Sequence, residues 1–292
     1  MQKKIIIAIA AVSRIVGLEP VVQVLYRKNA VAVVAKPPSV PVHASPYVGG
    51  TIKKIEEKPL LQRARDALGS RINLVHRLDR GASGCVLCVC IDRCREPQTL
   101  TSELHEALRV GRKRYVALVR GTRVFKGQSL GDNHTWFDIE RPIKDSRGKI
   151  NDARTSFRFL GYANHLNSDR CSLVLAEPQR SGRWHQIRRH LNGLSHPIIG
   201  DSSHGNSQTN RFWREHRGLP AERILLHFTR IQIPPTSVCP EGIDVSCPFP
   251  SDFSKILSSD ALTEITTSPI ARQLFQEETS LYLPLSKALQ VY

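Results

Sequence analysis

Asp79 stands in the run His76-Arg77-Leu78-Asp79-Arg80-Gly81-Ala82-Ser83-Gly84, an aspartate between two arginines with a Gly-x-x-Gly turn behind it. Guanidinium charge on either side favours the ionised carboxylate, and an ionised, partly enclosed carboxylate can serve as nucleophile or base. The same residues also suit an aspartate that pins a turn, with solvated arginines as neighbours. A second group, Arg180–His190, holds Arg180, Arg183, Arg188 and Arg189, two histidines and no acid. A helix starting near Arg183 would add free backbone N–H groups and its positive dipole end, a field that suits a phosphate backbone. A basic solvated helix face fits that segment equally. The third group is Arg112-Lys113-Arg114-Tyr115, positive charge leading into a strand that carries a tyrosine. Its plainer alternative is an edge strand protected by charge, with Tyr115 half-buried.

Metal chemistry is the alternative to these groups. Cys85, Cys88, Cys90 and Cys94 are closely spaced, but on a strand Cys88 and Cys90 point to one face and Cys85 to the other. Buried thiols are therefore expected, not zinc ligands. His185, His190 and His196 lack the i, i+4 relation with a glutamate that a zinc hydrolase helix uses. No P-loop, no G-x-G-x-x-G after a strand and no Gly-x-Ser-x-Gly elbow is present. Neither a cofactor nor a metal is expected. A zinc-dependent nucleic-acid enzyme is the competing class, and elemental analysis of the protein separates the two.

The elements that must position these groups follow from the apolar pattern. Val21–Tyr26 and Val31–Ala35 are β-branched runs on either side of Arg27-Lys28-Asn29, predicting a hairpin or neighbouring strands. Leu60–Leu68 predicts a short helix opened by Pro59 and stopped by Gly69. The unbroken apolar run Gly84–Ile91 predicts a strand buried on both faces, and Leu100, Leu104, Ala107 and Leu108 keep helical spacing after Pro97. Arg114–Val119, Thr155–Leu160, Cys171–Ala176 and Ile224–Ile233 are further expected strands. His185–Leu194 is expected as a helix with Ile187, Leu191 and Leu194 facing inward. Strands outnumber helices and come in neighbouring groups. That predicts an α+β fold with a central, largely antiparallel mixed sheet flanked by helices and loops. Residues 234–250 are proline-rich and read as closing loops, and residues 254–292 as a weakly patterned tail.

The chain has 292 residues with 42 Lys+Arg against 26 Asp+Glu, a formal charge of +16. Such an excess points to an acidic partner, nucleic acid or an anionic membrane face. With 40% hydrophobic and 23% charged residues, wholesale disorder is excluded. No apolar run reaches the roughly 18 residues of a membrane-spanning helix, and no membrane association is expected. Seven cysteines are too few for a disulfide scaffold and odd in number, so a reducing, intracellular compartment is expected. Lys3 and Lys4 precede the apolar run Ile5–Val12, and the first acid is Glu19. Residues 1–20 read as a terminal extension, with an organelle transit peptide as the alternative. Location follows: cytoplasm in the first case, mitochondrion or plastid in the second.

Taken together, these segments resemble the RluA-type family of pseudouridine synthases. His76-Arg77-Leu78-Asp79 with Ala82-Ser83-Gly84 is similar to the family's catalytic motif, although Ala82 departs from the threonine common there. Lys113-Arg114-Tyr115 with Ala117-Leu118-Val119-Arg120-Gly121 resembles its second motif. Gly182-Arg183-Trp184-His185-Gln186-Ile187-Arg188 with His190-Leu191, then His196-Pro197-Ile198-Ile199-Gly200-Asp201, resembles its third. Lys36-Pro37 with His43, Leu226-His227 and Pro248–Phe253 fit as well. Each motif alone is weak; four in order are specific. Asp201-Ser202-Ser203-His204-Gly205 with Asn210 and Arg211 further resembles the tRNA pseudouridine synthase C subgroup, other members more often carrying tyrosine where His204 stands.

The resemblance implies a pseudouridine synthase catalytic fold over residues 21–253 and an isomerase that turns uridine into pseudouridine in RNA. tRNA is the expected substrate and rRNA the alternative. The resemblance gives Asp79 the central role, as nucleophile or as base toward the ribose. It gives Tyr115 contact with the uracil and its carbon 5 proton, and Arg188 the pairing with Asp79. Arg77, Lys113, Arg183 and His76 are expected to meet RNA. The protein is expected to act as a monomer. An RNA-binding protein without catalysis would show damage at Asp79, Tyr115 or Arg188, and all three residues are intact.

Overall fold

The computed structural model describes residues 22–44, 47–48, 51–52, 58–131, 134–164, 170–180 and 182–284; the extension over 1–20 lies outside the described residues. The strands of the central sheet are β1 (Val24–Lys28), β2 (Val31–Lys36), β3 (Ile72–Leu74), β4 (Ser83–Cys90), β5 (Arg112–Arg120), β6 (Phe137–Glu140), β7 (Arg154–Ala163), β8 (Cys171–Pro178), β9 (Leu226–Ile233) and β10 (Ile243–Ser246). They form one ten-stranded sheet in the order β1-β2-β4-β9-β5-β8-β7-β6, with β3 added on β4 and β10 on β9. Every pairing in it is antiparallel except β4 with β9. The α+β expectation with a largely antiparallel mixed sheet is met.

The helices that flank the sheet are α1 (Leu60–Leu68), α2 (Pro97–Val110), α3 (Gln186–Gly193), α4 (Ser207–His216), α5 (Ser251–Leu257), α6 (Thr263–Thr266) and α7 (Pro269–Thr279). α1 has the expected bounds. Pro59 precedes it, and Gly69 ends it in the left-handed conformation with its N–H on the Arg65 carbonyl, as glycine allows. All of β4 is buried because both its faces are covered. Cys85, Leu87 and Val89 pack with Leu100, Leu104 and Leu108 of α2. Val86, Cys88 and Cys90 pack with Leu60, Ala64 and Leu68 of α1. The cysteines thus divide between two apolar layers, as strand geometry requires.

Several expectations change. β5 is interior, between β9 and β8, so its charges do not protect an edge. β10 lies inside the stretch read as loops. The boundary expected at Phe253 falls within α5. Residues beyond it are core: Phe253, Leu257, Leu262, Ile265, Phe275 and Leu283 pack with Val116, Leu118 and Leu173 of the sheet. α7 has a readable start, since Ser268 caps it by accepting from the Ala271 N–H and Pro269 follows. Among the described residues no helix is long and apolar enough to cross a membrane.

Candidate active site

Asp79 lies on the loop between β3 and β4, and buried cations hold that loop by its carbonyls. Lys36, at the end of β2, donates from Nζ to Arg80 O (2.9 Å) and Ala82 O (2.7 Å). Arg223 donates from Nη1 to Gly81 O (2.8 Å) and from Nη2 to Ser83 Oγ (3.0 Å), with Nε on Asp252 Oδ2 (2.8 Å). Ser83 Oγ also pairs with His227 Nδ1 at 2.9 Å. The loop closes on itself through Ala82 N–H to Asp79 O (3.1 Å). It then runs straight into the parallel pairing, where Gly84 faces Phe228. A Cβ on Gly84 would sit 2.3 Å from Phe228 O, at a φ of +124°, so only glycine lets the two strands approach here. The sequence marks Lys36 only through the Lys36-Pro37 motif, and nothing in it marks Arg223.

α3 supplies the partner. Arg188 is almost completely buried and makes three hydrogen bonds to two carboxylates. Nε and Nη2 reach Asp201 Oδ2 and Oδ1 at 2.7 Å each, and Nη1 reaches Asp79 Oδ2 at 2.8 Å. Asp201 Oδ1 also accepts the backbone N–H groups of Ser203 and His204, both at 2.9 Å. Burial works to raise the Asp201 carboxyl, but Arg188 and those N–H groups outweigh it and hold it below the usual value. Burial likewise opposes the Arg188 charge, and the two carboxylates override it.

Asp79, Tyr115 and Arg188 share the lining of one cleft of about 460 Å³ with Arg77, Arg183, His185 and Leu226. Tyr115, on β5, stacks on Phe228 with ring centroids 4.4 Å apart and planes 12° apart. Burial first, and the Asp79 charge second, push its phenol well above the ordinary value, so in the free protein it is a neutral donor.

The expected RNA contacts sort into two kinds. Arg77 and Arg183 are exposed and line the cleft. Lys113 is buried, and its ammonium closes the end of α2 by donating to Leu108 O (2.7 Å) and Gly111 O (2.9 Å). Burial brings it down to about 8. It is a helix cap, not a phosphate contact. His76 accepts the Leu87 N–H at Nε2 (3.1 Å) and lies edge-on to Phe228. Burial lowers it to about 4, so it is a neutral structural acceptor. Arg114 is also buried, bonded to Glu177 (2.5 Å) and to Glu278. Nor does α3 begin near Arg183. Gln186 is its first residue, His185 precedes it in the left-handed conformation (φ +55°) without a side-chain cap, and Gln186 Oε1 takes the Arg183 N–H (2.9 Å).

Residues 30–193 match the family model described as RNA pseudouridylate synthase. The chain is 32% identical over 228 residues to tRNA pseudouridine synthase C of Salmonella typhimurium, covering 72% of this chain and 79% of the relative. It is 33% identical over 225 residues to tRNA pseudouridine synthase C of Haemophilus ducreyi, covering 70% and 84%. The solved structure of human RNA Pseudouridylate Synthase Domain Containing 1 shares the fold, with a TM-score of 0.59 at 20% identity over 90% of this chain and 96% of that one.

Proposed function

The chain belongs to the RNA pseudouridylate synthase family, and we propose that the uridine it isomerises lies in tRNA and reacts at Asp79. The relatives named above act on tRNA by name, and this supports the choice of substrate. The observation that carries the site is the Arg188–Asp79 contact inside a cleft that also holds Tyr115.

Making pseudouridine from uridine breaks the bond from ribose C1′ to N1, turns the uracil and joins C1′ to carbon 5; a proton leaves carbon 5 and one reaches N1. The target base must leave its stack to enter the cleft. Asp79 then acts on the ribose, as nucleophile at C1′ or as base on a ribose proton. Arg188 fixes one carboxylate oxygen and leaves the other toward the cleft, an orienting role of the kind that sets rate. Tyr115, backed by the stacked and buried Phe228, is the aromatic ring that the uracil meets in the cleft. Its neutral phenol can take the carbon 5 proton only by passing its own onward, and Asp79 lines the same cleft. Arg77 and Arg183 meet phosphates at the rim.

The test is to map pseudouridine in total RNA from cells with and without the protein. Loss of one or a few tRNA sites supports the proposal. Loss confined to ribosomal RNA rejects tRNA as the substrate.

A further inference from the structure

A ring of contacts leads from Asp79 back to itself. Arg188 joins Asp79 to Asp201, the Asp201 carboxylate accepts the His204 backbone N–H, and the His204 Nε2 lies 2.9 Å from His185 Nδ1. The last link is open. His185 Nε2 stands 3.8 Å from Asp79 Oδ1, the oxygen Arg188 does not hold. That distance is too long for a hydrogen bond, and a shift of about 1 Å would make it one.

The ring state of His185 follows from its neighbours. Burial brings its imidazole down to about 4, and Arg188 and His204 add to this against the pull of Asp79 and Asp201. A neutral imidazole has one donor and one acceptor nitrogen. Nε2 faces a carboxylate, so the proton belongs there; a lone pair in its place would be repelled. Nδ1 is then a bare acceptor, and His204 donates to it from Nε2. Trp184 stacks over the His185 ring at 4.1 Å and shields this arrangement. His204 does not line the cleft; its imidazole reaches the site through the His185 ring it contacts, while its backbone N–H stays on Asp201 whatever the side chain.

We propose that His185 is a positioning residue for Asp79, donating from Nε2 to Oδ1 when RNA fills the cleft, and that His204 sets the tautomer that makes this donation possible. Each Asp79 oxygen then has its own donor, Arg188 for Oδ2 and His185 for Oδ1. The proposal rests on Asp79 being the reacting carboxylate.

Single-turnover tritium release from carbon-5-labelled RNA, with RNA affinity measured alongside, tests it on the full chain. His204→Leu should slow release by about tenfold, the usual scale for losing the partner that orients a histidine, with RNA affinity unchanged. His204→Gln, whose amide nitrogen can replace Nε2 as donor, should recover most of that loss. His185→Gln keeps a donor toward Asp79 but needs no tautomer. In that background His204→Leu should cost nothing further, a coupling that a merely structural role would not produce. An equal cost of His204→Leu in both backgrounds, or a loss of affinity in place of rate, overturns the proposal. Asp79→Asn is the separate control: wild-type release from it would reject the Asp79 reading, and this proposal with it, whatever the histidine variants do.

Discussion

Arg188 gives Asp79 one of its three nitrogens, Nη1 at 2.8 Å, because Nε and Nη2 are both committed to Asp201. The guanidinium is fixed from behind by a carboxylate that is itself buried, and its free end aims at the carboxylate in the cleft. A planar fork can do this; a lysine ammonium is a point charge on a flexible stem.

Asp79→Asn keeps the shape of the side chain but removes the anion needed for attack or proton abstraction. Tritium release from carbon-5-labelled RNA should vanish while RNA affinity stays near wild type. Arg188→Lys can serve one carboxylate but not both, and should lower release by about 10²-fold, the scale of a misplaced catalytic group. Arg188→Ala is the harsher variant. It leaves Asp201 as a buried unpaired charge, at a stability cost of about 3–5 kcal/mol read from denaturant unfolding. Full activity in either Asp79→Asn or Arg188→Lys would reject the site.

The cations divide by what they touch. Arg77→Ala and Arg183→Ala should weaken RNA binding and make it less salt-dependent, since each removes a proposed phosphate contact. Lys113→Met should leave both the affinity and the salt slope unchanged and lower the melting temperature, because its ammonium caps α2. An equal loss of affinity in all three would contradict this division.

His76 and His185 are both held near 4 in the folded protein, chiefly by burial, against an ordinary value of 6.5. The unfolded chain therefore binds more protons between those values, and stability falls as pH drops from about 6.5 to 4. Below 4 these two groups add no further slope. His76→Gln keeps an acceptor for the Leu87 N–H but does not titrate, so urea unfolding across this range should show a shallower fall than wild type. An unchanged slope would mean that His76 is not buried as a neutral ring.

The C-terminal helices belong to the core. Phe275→Ala should cost about 3–5 kcal/mol, the usual price of emptying a buried aromatic site, and removal of residues 254–292 should prevent folding. A truncated chain with wild-type unfolding behaviour would show instead that the segment is dispensable.

Much of the scaffold is written in local patterns. The β4 run is apolar because two helices cover it, and α1 is bracketed by a proline and a glycine. Asp79, Tyr115 and Arg188 are legible as one group only through the order of their motifs, since the Asp79–Arg188 contact spans 109 positions. The charges are less readable. Arg114 finds Glu177 and Glu278 at separations of 63 and 164, and Lys113 finds backbone carbonyls, which leave no trace in residue types. Lys36 is noticed only as part of a motif, not for the carbonyls it holds, and Arg223 escapes notice for the same reason. The helices after Phe253 are not legible in the sequence because their apolar residues serve a sheet face laid down much earlier in the chain.

The arrangement around Arg188 has an electrostatic consequence. Two carboxylates share one guanidinium, so this trio carries more negative than positive charge inside a chain whose total is +16. A phosphate approaching Asp79 meets repulsion, while the same phosphate meets attraction at Arg77 and Arg183 on the rim. A neutral uracil meets neither. On the proposed site, the parts of one nucleotide would be sorted by charge, the backbone kept outside and the base admitted, before any chemistry begins.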